Sequence, residues 1–153
     1  MAVKCIAIGN RIMGDDAIGI KVLEELSLKL MNKDIELLFG ETDNEYAISE
    51  IEDGDLLFII DSTYFNLNPG TVTFTSINEL SIANSLNSQH QQSLIHLVKL
   101  YGKDIKGFII GIEVEKVEFS TEISEILKLN LQQICEEIYN FIMNKKIQHI
   151  AHV

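Results

Sequence analysis

Val3-Lys4-Cys5-Ile6-Ala7-Ile8-Gly9-Asn10-Arg11-Ile12-Met13-Gly14-Asp15-Asp16-Ala17-Ile18-Gly19 is the stretch that decides the fold class. Val3 to Ile8 is a short apolar run closed by a glycine, as expected of a strand buried on both faces of a parallel sheet. Beyond the loop Gly9–Gly14, Ile18, Val22, Leu23, Leu26 and Leu30 recur at helical spacing and predict a helix from about Asp15 to Asn32. A buried strand feeding a helix through a glycine-bounded loop is the opening unit of an α/β fold.

The alternation continues outward. Ile35 to Phe39 reads as a second strand closed by Gly40, and Tyr46 to Ile51 as a short helix. Leu56 to Ile60 is a third, wholly apolar strand that stops at Asp61. After Asn68-Pro69-Gly70, the β-branched run Thr71–Thr75 suggests an edge or antiparallel strand. A helix over about Gln89 to Tyr101, a strand at Phe108–Val114 and a long amphipathic helix from roughly Ile123 to Met143 complete the pattern. This order predicts a three-layer α/β sandwich: a mostly parallel, twisted sheet of about five strands with helices on both faces.

Bulk properties bound the function. The chain has 153 residues, 46% hydrophobic and 23% charged, which describes a globular protein and not a disordered one. No repeat, low-complexity run or Pro/Gly/Ser linker interrupts it, and Pro69 is its only proline, so residues 1–153 are expected to form a single domain. Ile147–Val153 reads as a flexible tail. Its two histidines, His149 and His152, are three apart and could bind metal, but chain ends more often fray. A net charge of −11 argues against nucleic acid, whose phosphates draw on clustered Lys and Arg, and against an anionic membrane surface. The N-terminus carries too short an apolar run for a signal peptide or a spanning helix. Only Cys5 and Cys135 are present, both within apolar patterns, which suits buried free thiols in a reducing compartment. A cytoplasmic location is expected.

In open α/β sheets, sites form at the carboxyl ends of strands where the strand order switches. Two loops qualify: Gly9–Gly19 after the first strand and Asp61-Ser62-Thr63 after the third. They share one crevice if the two strands are neighbours. The first is a poor phosphate cradle. Its glycines are five apart, no Gly-Lys-Ser/Thr follows, and Asp15 and Asp16 occupy the helix N-terminus where a phosphate would dock. Those two carboxylates also have a plain structural reading as a helix cap and an acidic first-turn residue. Asp61 could be a loop cap or a catalytic acid. His90 lies within roughly 40° of the apolar face carrying Leu94, Leu97, Val98 and Tyr101, at about 100° per residue, whereas His96 points away. A first-turn His is commonly a packed or capping residue. Two carboxylates and an imidazole that converged would make a weak, open divalent-cation site with positions left for water or substrate.

The loop Gly9-Asn10 … Asp15-Asp16-Ala17-Ile18-Gly19 resembles the signature of the nickel–iron hydrogenase maturation proteases: Gly-x-Gly-Asn, four variable residues, then Asp-Asp/Glu-x-x-Gly. The likeness continues at Ile59-Ile60-Asp61-Ser62, Asn68-Pro69-Gly70, His90 and Gly111-Ile112, from residue 3 to about 140. Ala7 stands where the family usually has its first glycine, and no proline follows Gly111. The resemblance implies an endopeptidase that removes the C-terminal extension of a nickel–iron hydrogenase large-subunit precursor after nickel insertion. It implies that Asp16, Asp61 and His90 are the catalytic and metal-binding residues. Nickel would be supplied by the substrate, and the mechanism would be metal-dependent or of aspartic type. Two rivals share the fold: a nickel-binding metallochaperone that does not cut, and a non-catalytic flavodoxin-like binding module.

Overall fold

Period-two burial along each inner strand assigns its residues to two cores. On one face, Cys5, Ala7, Phe58, Ile60, Ile110 and Ile112 pack against helical residues that include Ile18, Leu23, Leu30, Leu127, Ile138 and Ile142. On the other, Ile6, Ile8, Leu57, Ile59 and Ile109 pack against Ala47, Ile48 and Ile51. The computed structural model describes residues 2–79, 99 and 101–151. These form strands β1 (Val3–Ile8), β2 (Ile35–Glu41), β3 (Leu56–Thr63), β4 (Val72–Ser76) and β5 (Lys106–Glu113). The described helices are α1 (Ile18–Met31), α2 (Asn44–Ser49) and α3 (Glu125–Ala151). The architecture is a three-layer α/β sandwich, as the alternation predicts.

The strand order is β2-β1-β3-β5-β4. β1 pairs in parallel with β2 and with β3, and β3 in parallel with β5. β4 runs antiparallel to β5 at the edge, as its β-branched, half-buried sequence suggests. Because β1 lies between β2 and β3, the chain leaves it toward one side and later returns on the other. That reversal is the switch point at which the loops after β1 and β3 meet. Aromatic rings fill the core toward the β4 edge: Phe74 stacks on Phe141 at 4.0 Å, and Phe141 meets Phe108 edge-on at 5.1 Å.

Most element boundaries shift by one or two residues from the sequence expectation, and three differences bear on the site or the chain end. β3 continues through Asp61, Ser62 and Thr63, because β5 supplies pairing partners Gly111, Ile112 and Glu113. The first helix opens with a 3₁₀ turn, Gly14–Ala17, before α1 begins. Residues 147–151 belong to α3 and are not a separate tail. No helix breaker follows Met143, the Lys146 ammonium bonds the Lys33 carbonyl, and Lys145 lies 5.2 Å over the Phe108 ring. The helix predicted for Gln89–Tyr101 lies, apart from Lys99 and Tyr101, outside the described residues. Among the described residues no helix is long and apolar enough to cross a membrane.

At the amino ends of β1 and β3, buried Lys4 pairs with buried Asp55 at 2.8 Å. Burial opposes ionisation of Asp55, but the Lys4 hydrogen bond, the amides of Glu52 and Ala2 and the Lys4 charge together hold its carboxyl below the usual range. The pair fastens the end of the sheet remote from the crevice.

Candidate active site

Gly9 begins the site. Its φ is +141°, and a Cβ there would lie 2.2 Å from the Asp16 carbonyl oxygen, so only glycine lets the chain turn back over the 3₁₀ turn. Asn10 holds the turn: its side-chain oxygen accepts from the Ile12 amide at 3.1 Å, and its own amide donates to Asp16 Oδ2 at 2.8 Å. Gly19 does the complementary work. A side chain there would meet the Ile60 carbonyl at 2.5 Å, so α1 can press against the carboxyl end of β3 only because this residue is glycine. That approach brings Asp16 beside Asp61.

Both carboxylates are buried, Asp61 completely and Asp16 to within 6% of its surface. A single hydroxyl joins them. Ser62 Oγ lies 2.9 Å from Asp16 Oδ1 and 3.3 Å from Asp61 Oδ1, and the Ser62 amide donates to Asp61 Oδ1 at 2.7 Å. One serine proton serves one carboxylate at a time. Tyr64 closes the cluster, its hydroxyl donating to Asp16 Oδ1 at 2.8 Å. Burial raises the Tyr64 phenol, the Ser62 hydrogen bond opposes this, and the Asp16 bond and the negative charges of Asp16 and Asp61 raise it further. It therefore stays a protonated donor at neutral pH.

Asp15 and Asp16 prove to be unlike neighbours. Neither caps α1, whose N-cap Ala17 has no side-chain hydrogen bond. Asp15 faces away from the cluster and is fully buried. Its Oδ2 accepts from the Glu115 and Lys116 amides at 3.0 Å each, and its Oδ1 from the Ser124 amide at 2.6 Å. It clamps both ends of the segment between β5 and α3. Glu113, at the end of β5, is a second buried anchor. It accepts from Thr63 Oγ1 and from the Phe65 amide, both at 2.9 Å, and so fixes the chain as it leaves β3.

Of the three residues singled out by resemblance, Asp16 and Asp61 meet in one crevice, and His90 lies outside the described residues. Among the described residues no group of three His, Cys, Asp or Glu side chains is gathered as a metal would need. His149 borders a cavity with Leu56 and Lys106, the first residues of β3 and β5, at the opposite end of the sheet from Asp61. His96 and His152 are outside the described residues. Oxygen donors from two adjacent, rigidly held carboxylates suit a divalent cation. Sequence reasoning passed over Ser62 and Tyr64 as members of the cluster. Their spacing of two, directly after a strand-end acid, was the available signal, since alternate residues of an extended chain share a face.

These features define an open α/β protein with a paired-carboxylate crevice at the switch point of its sheet. The chain matches the family model described as hydrogenase maturation protease over residues 20–141, and it belongs to that family. The matched span contains Asp61 and the position of His90 and begins just after the Asp16 loop. Membership makes the protein a hydrolase. It is similar to the hydrogenase expression/formation protein HupD of Thiocapsa roseopersicina, with 27% identity over 119 residues, 74% of this chain and 53% of that one. Its fold is that of the hydrogenase maturating endopeptidase HybD from E. coli, with a TM-score of 0.77 at 20% identity, covering 95% of this chain and 94% of that one. The [NiFe] hydrogenase maturation protease HybD from Thermococcus kodakarensis superposes with a TM-score of 0.74 at 25% identity, over 93% and 99% of the two chains.

Proposed function

We propose that this chain is the endopeptidase that removes the C-terminal extension of a nickel–iron hydrogenase large-subunit precursor once nickel is in place. Asp16, Asp61 and His90 recognise the precursor's nickel in this proposal. The observation that carries it is the pair of buried carboxylates, Asp16 and Asp61, bridged by one hydroxyl at the switch point of the sheet. Two carboxylates and an imidazole, without a thiolate, hold nickel weakly, whereas a precursor offering thiolates holds it firmly. The enzyme then completes the coordination sphere of an ion that the substrate brings, which places the scissile bond beside the carboxylates. The ion can polarise the scissile carbonyl or a water as a Lewis acid, and an Asp carboxylate can take the proton of the attacking water.

Residues 1–153 carry the activity as one domain, with the precursor as protein partner. A net charge of −11 sets nucleic acid aside as a partner. The two free thiols, Cys5 and Cys135, suit the reducing cytoplasm. The test is mass spectrometry of purified precursor incubated with the enzyme, with and without nickel loaded beforehand. Loss of the C-terminal peptide from the nickel-loaded form alone is the expected result. Equal trimming of nickel-free precursor overturns the nickel dependence, and nickel transfer without any trimming identifies the chain as a metallochaperone.

A further inference from the structure

We infer that the loops beside the paired carboxylates carry an apolar docking rim for the precursor, one that takes uncharged, apolar side chains next to the scissile bond; this rests on the peptidase reading proposed above. Five of the chain's seven phenylalanines, Phe39, Phe58, Phe74, Phe108 and Phe141, belong to the core or pack against it. The other two, Phe65 and Phe119, are exposed, Phe119 to 81% of its surface. Both stand at the carboxyl ends of the strands, the end at which Asp16 and Asp61 meet: Phe65 on the loop after β3, Phe119 on the loop after β5. Leu67 on the β3 loop, Val117 near Phe119 and Ile12 on the loop after β1 are exposed as well. Exposed apolar side chains are ordinary when scattered singly. Five on the three loops at one end of a sheet make a surface for a partner.

The three loops are tied to one another. The Ser120 amide donates to the Ile12 carbonyl at 3.0 Å, and the Gly14 amide to the Ser120 carbonyl at 2.9 Å. The Val114 amide donates to the Thr63 carbonyl at 3.2 Å, and the Phe65 amide to Glu113 Oε1 at 2.9 Å. Backbone held in this way loses little further entropy when a partner binds. Charge narrows the choice of partner. Lys116 and Glu118 alternate with Val117 and Phe119 and pair with each other at 3.1 Å, while Glu115 adds to a net charge of −11. Such a rim repels an anionic membrane and an acidic peptide alike. A peptide bond brought to Asp16 and Asp61 carries its neighbours outward at about 3.3 Å per residue, across the loops that border those carboxylates. The rim therefore continues the proposed site, and its occupant is the short apolar segment of the precursor that flanks the bond to be cut. Phe65 and Phe119 are its anchors, because large aromatic side chains gain most on passing from water into a contact.

The test compares wild-type enzyme with Phe65→Ala, Phe119→Ala and Ile147→Ala on nickel-loaded precursor, with kcat and KM taken from initial rates of trimming followed by mass spectrometry. Ile147 is 61% exposed but lies toward the end of α3, beside the cavity at the opposite end of the sheet, and controls for loss of apolar surface in general. Contacts that are equally strong before and during reaction show in KM and leave kcat unchanged. Each Phe variant should raise KM about tenfold, with kcat and thermal midpoint as in wild type, and Ile147→Ala should change none of them. A wild-type KM in either Phe variant, or an equal rise in Ile147→Ala, overturns the rim and leaves the peptidase standing. So does a wild-type dimer in sedimentation that Phe119→Ala dissociates without a change in KM, which assigns the face to a second copy of the chain. If wild type binds the precursor without trimming it, the peptidase reading falls, and affinity by calorimetry replaces KM in the same comparison. Absence of both binding and trimming overturns both.

Discussion

Asp16 and Asp15 are adjacent acids with opposite duties, and single substitutions separate them. At Asp16 the bonding partners among the described residues include one backbone amide and two hydroxyls. Asparagine fits this arrangement. Its oxygen keeps the Asn10 amide, its NH₂ donates to the Ser62 and Tyr64 oxygens, and both hydroxyl protons can rotate elsewhere. Asp16→Asn should therefore abolish precursor trimming at a stability cost within about 1 kcal/mol. Denaturant unfolding and the mass assay check the two halves. A variant that trims at the wild-type rate reduces Asp16 to a structural residue. The helix-capping role that sequence assigned to this pair predicts the same tolerance of asparagine, but the structure supplies a different cause.

At the scale of elements, the segment between β5 and α3 has little of its own to hold it. Asp15 takes the amides of Glu115, Lys116 and Ser124, and the Gly14 amide bonds the Ser120 carbonyl at 2.9 Å. Three donors face one carboxylate, so neither alanine nor asparagine can replace it. Asp15→Ala should destabilise the protein by about 1–3 kcal/mol for each donor that water cannot reach. Hydrogen exchange should show residues 115–124 losing protection before the sheet does. If exchange in that segment matches wild type, the clamp is not what orders it. This segment runs alongside the Asp16 loop through the Met13–Ser120 bridge, so some loss of activity should accompany the loss of order.

Over the whole molecule, a buried ion pair stands at the end of the sheet remote from the crevice, and its pH response can be measured apart from activity. Asp55, paired with Lys4, titrates below its ordinary range in the folded state. A depressed folded pKa contributes stability above the unfolded value of about 3.9, and that contribution is lost as pH falls through the folded value. Asp55→Asn should accordingly lower the thermal midpoint at pH 7, and the difference from wild type should shrink as the pH drops below about 4. A difference that stays constant down to pH 2 would assign the loss to packing instead of charge. Because this pair lies at the end of the sheet away from Asp16 and Asp61, the variant should keep its trimming activity at temperatures where it remains folded.

Sequence by itself determined the class of fold, since the apolar runs at Val3–Ile8 and Leu56–Ile60 and the helical period from Ile18 to Leu30 are local intervals along the chain. It also pointed to two strand ends for the candidate site, because Gly9 and Asp61 punctuate those runs, and the family likeness singled out Asp16 over its neighbour. Tertiary structure decided the rest. Whether Asp16 and Asp61 share a crevice depends on β1 lying beside β3, a pairing made by backbone hydrogen bonds between distant segments. Whether Asp15 or Asp16 faces Ser62 depends on the 3₁₀ turn between Gly14 and Ala17, where the 3.6-residue period that the sequence pattern assumes does not hold. The membership of Ser62 and Tyr64 depends on β5 extending β3 past the last apolar residue, Ile60. Periodicity records only intervals along one chain, whereas side-chain direction at a strand end is set by the neighbouring strand that continues the ladder.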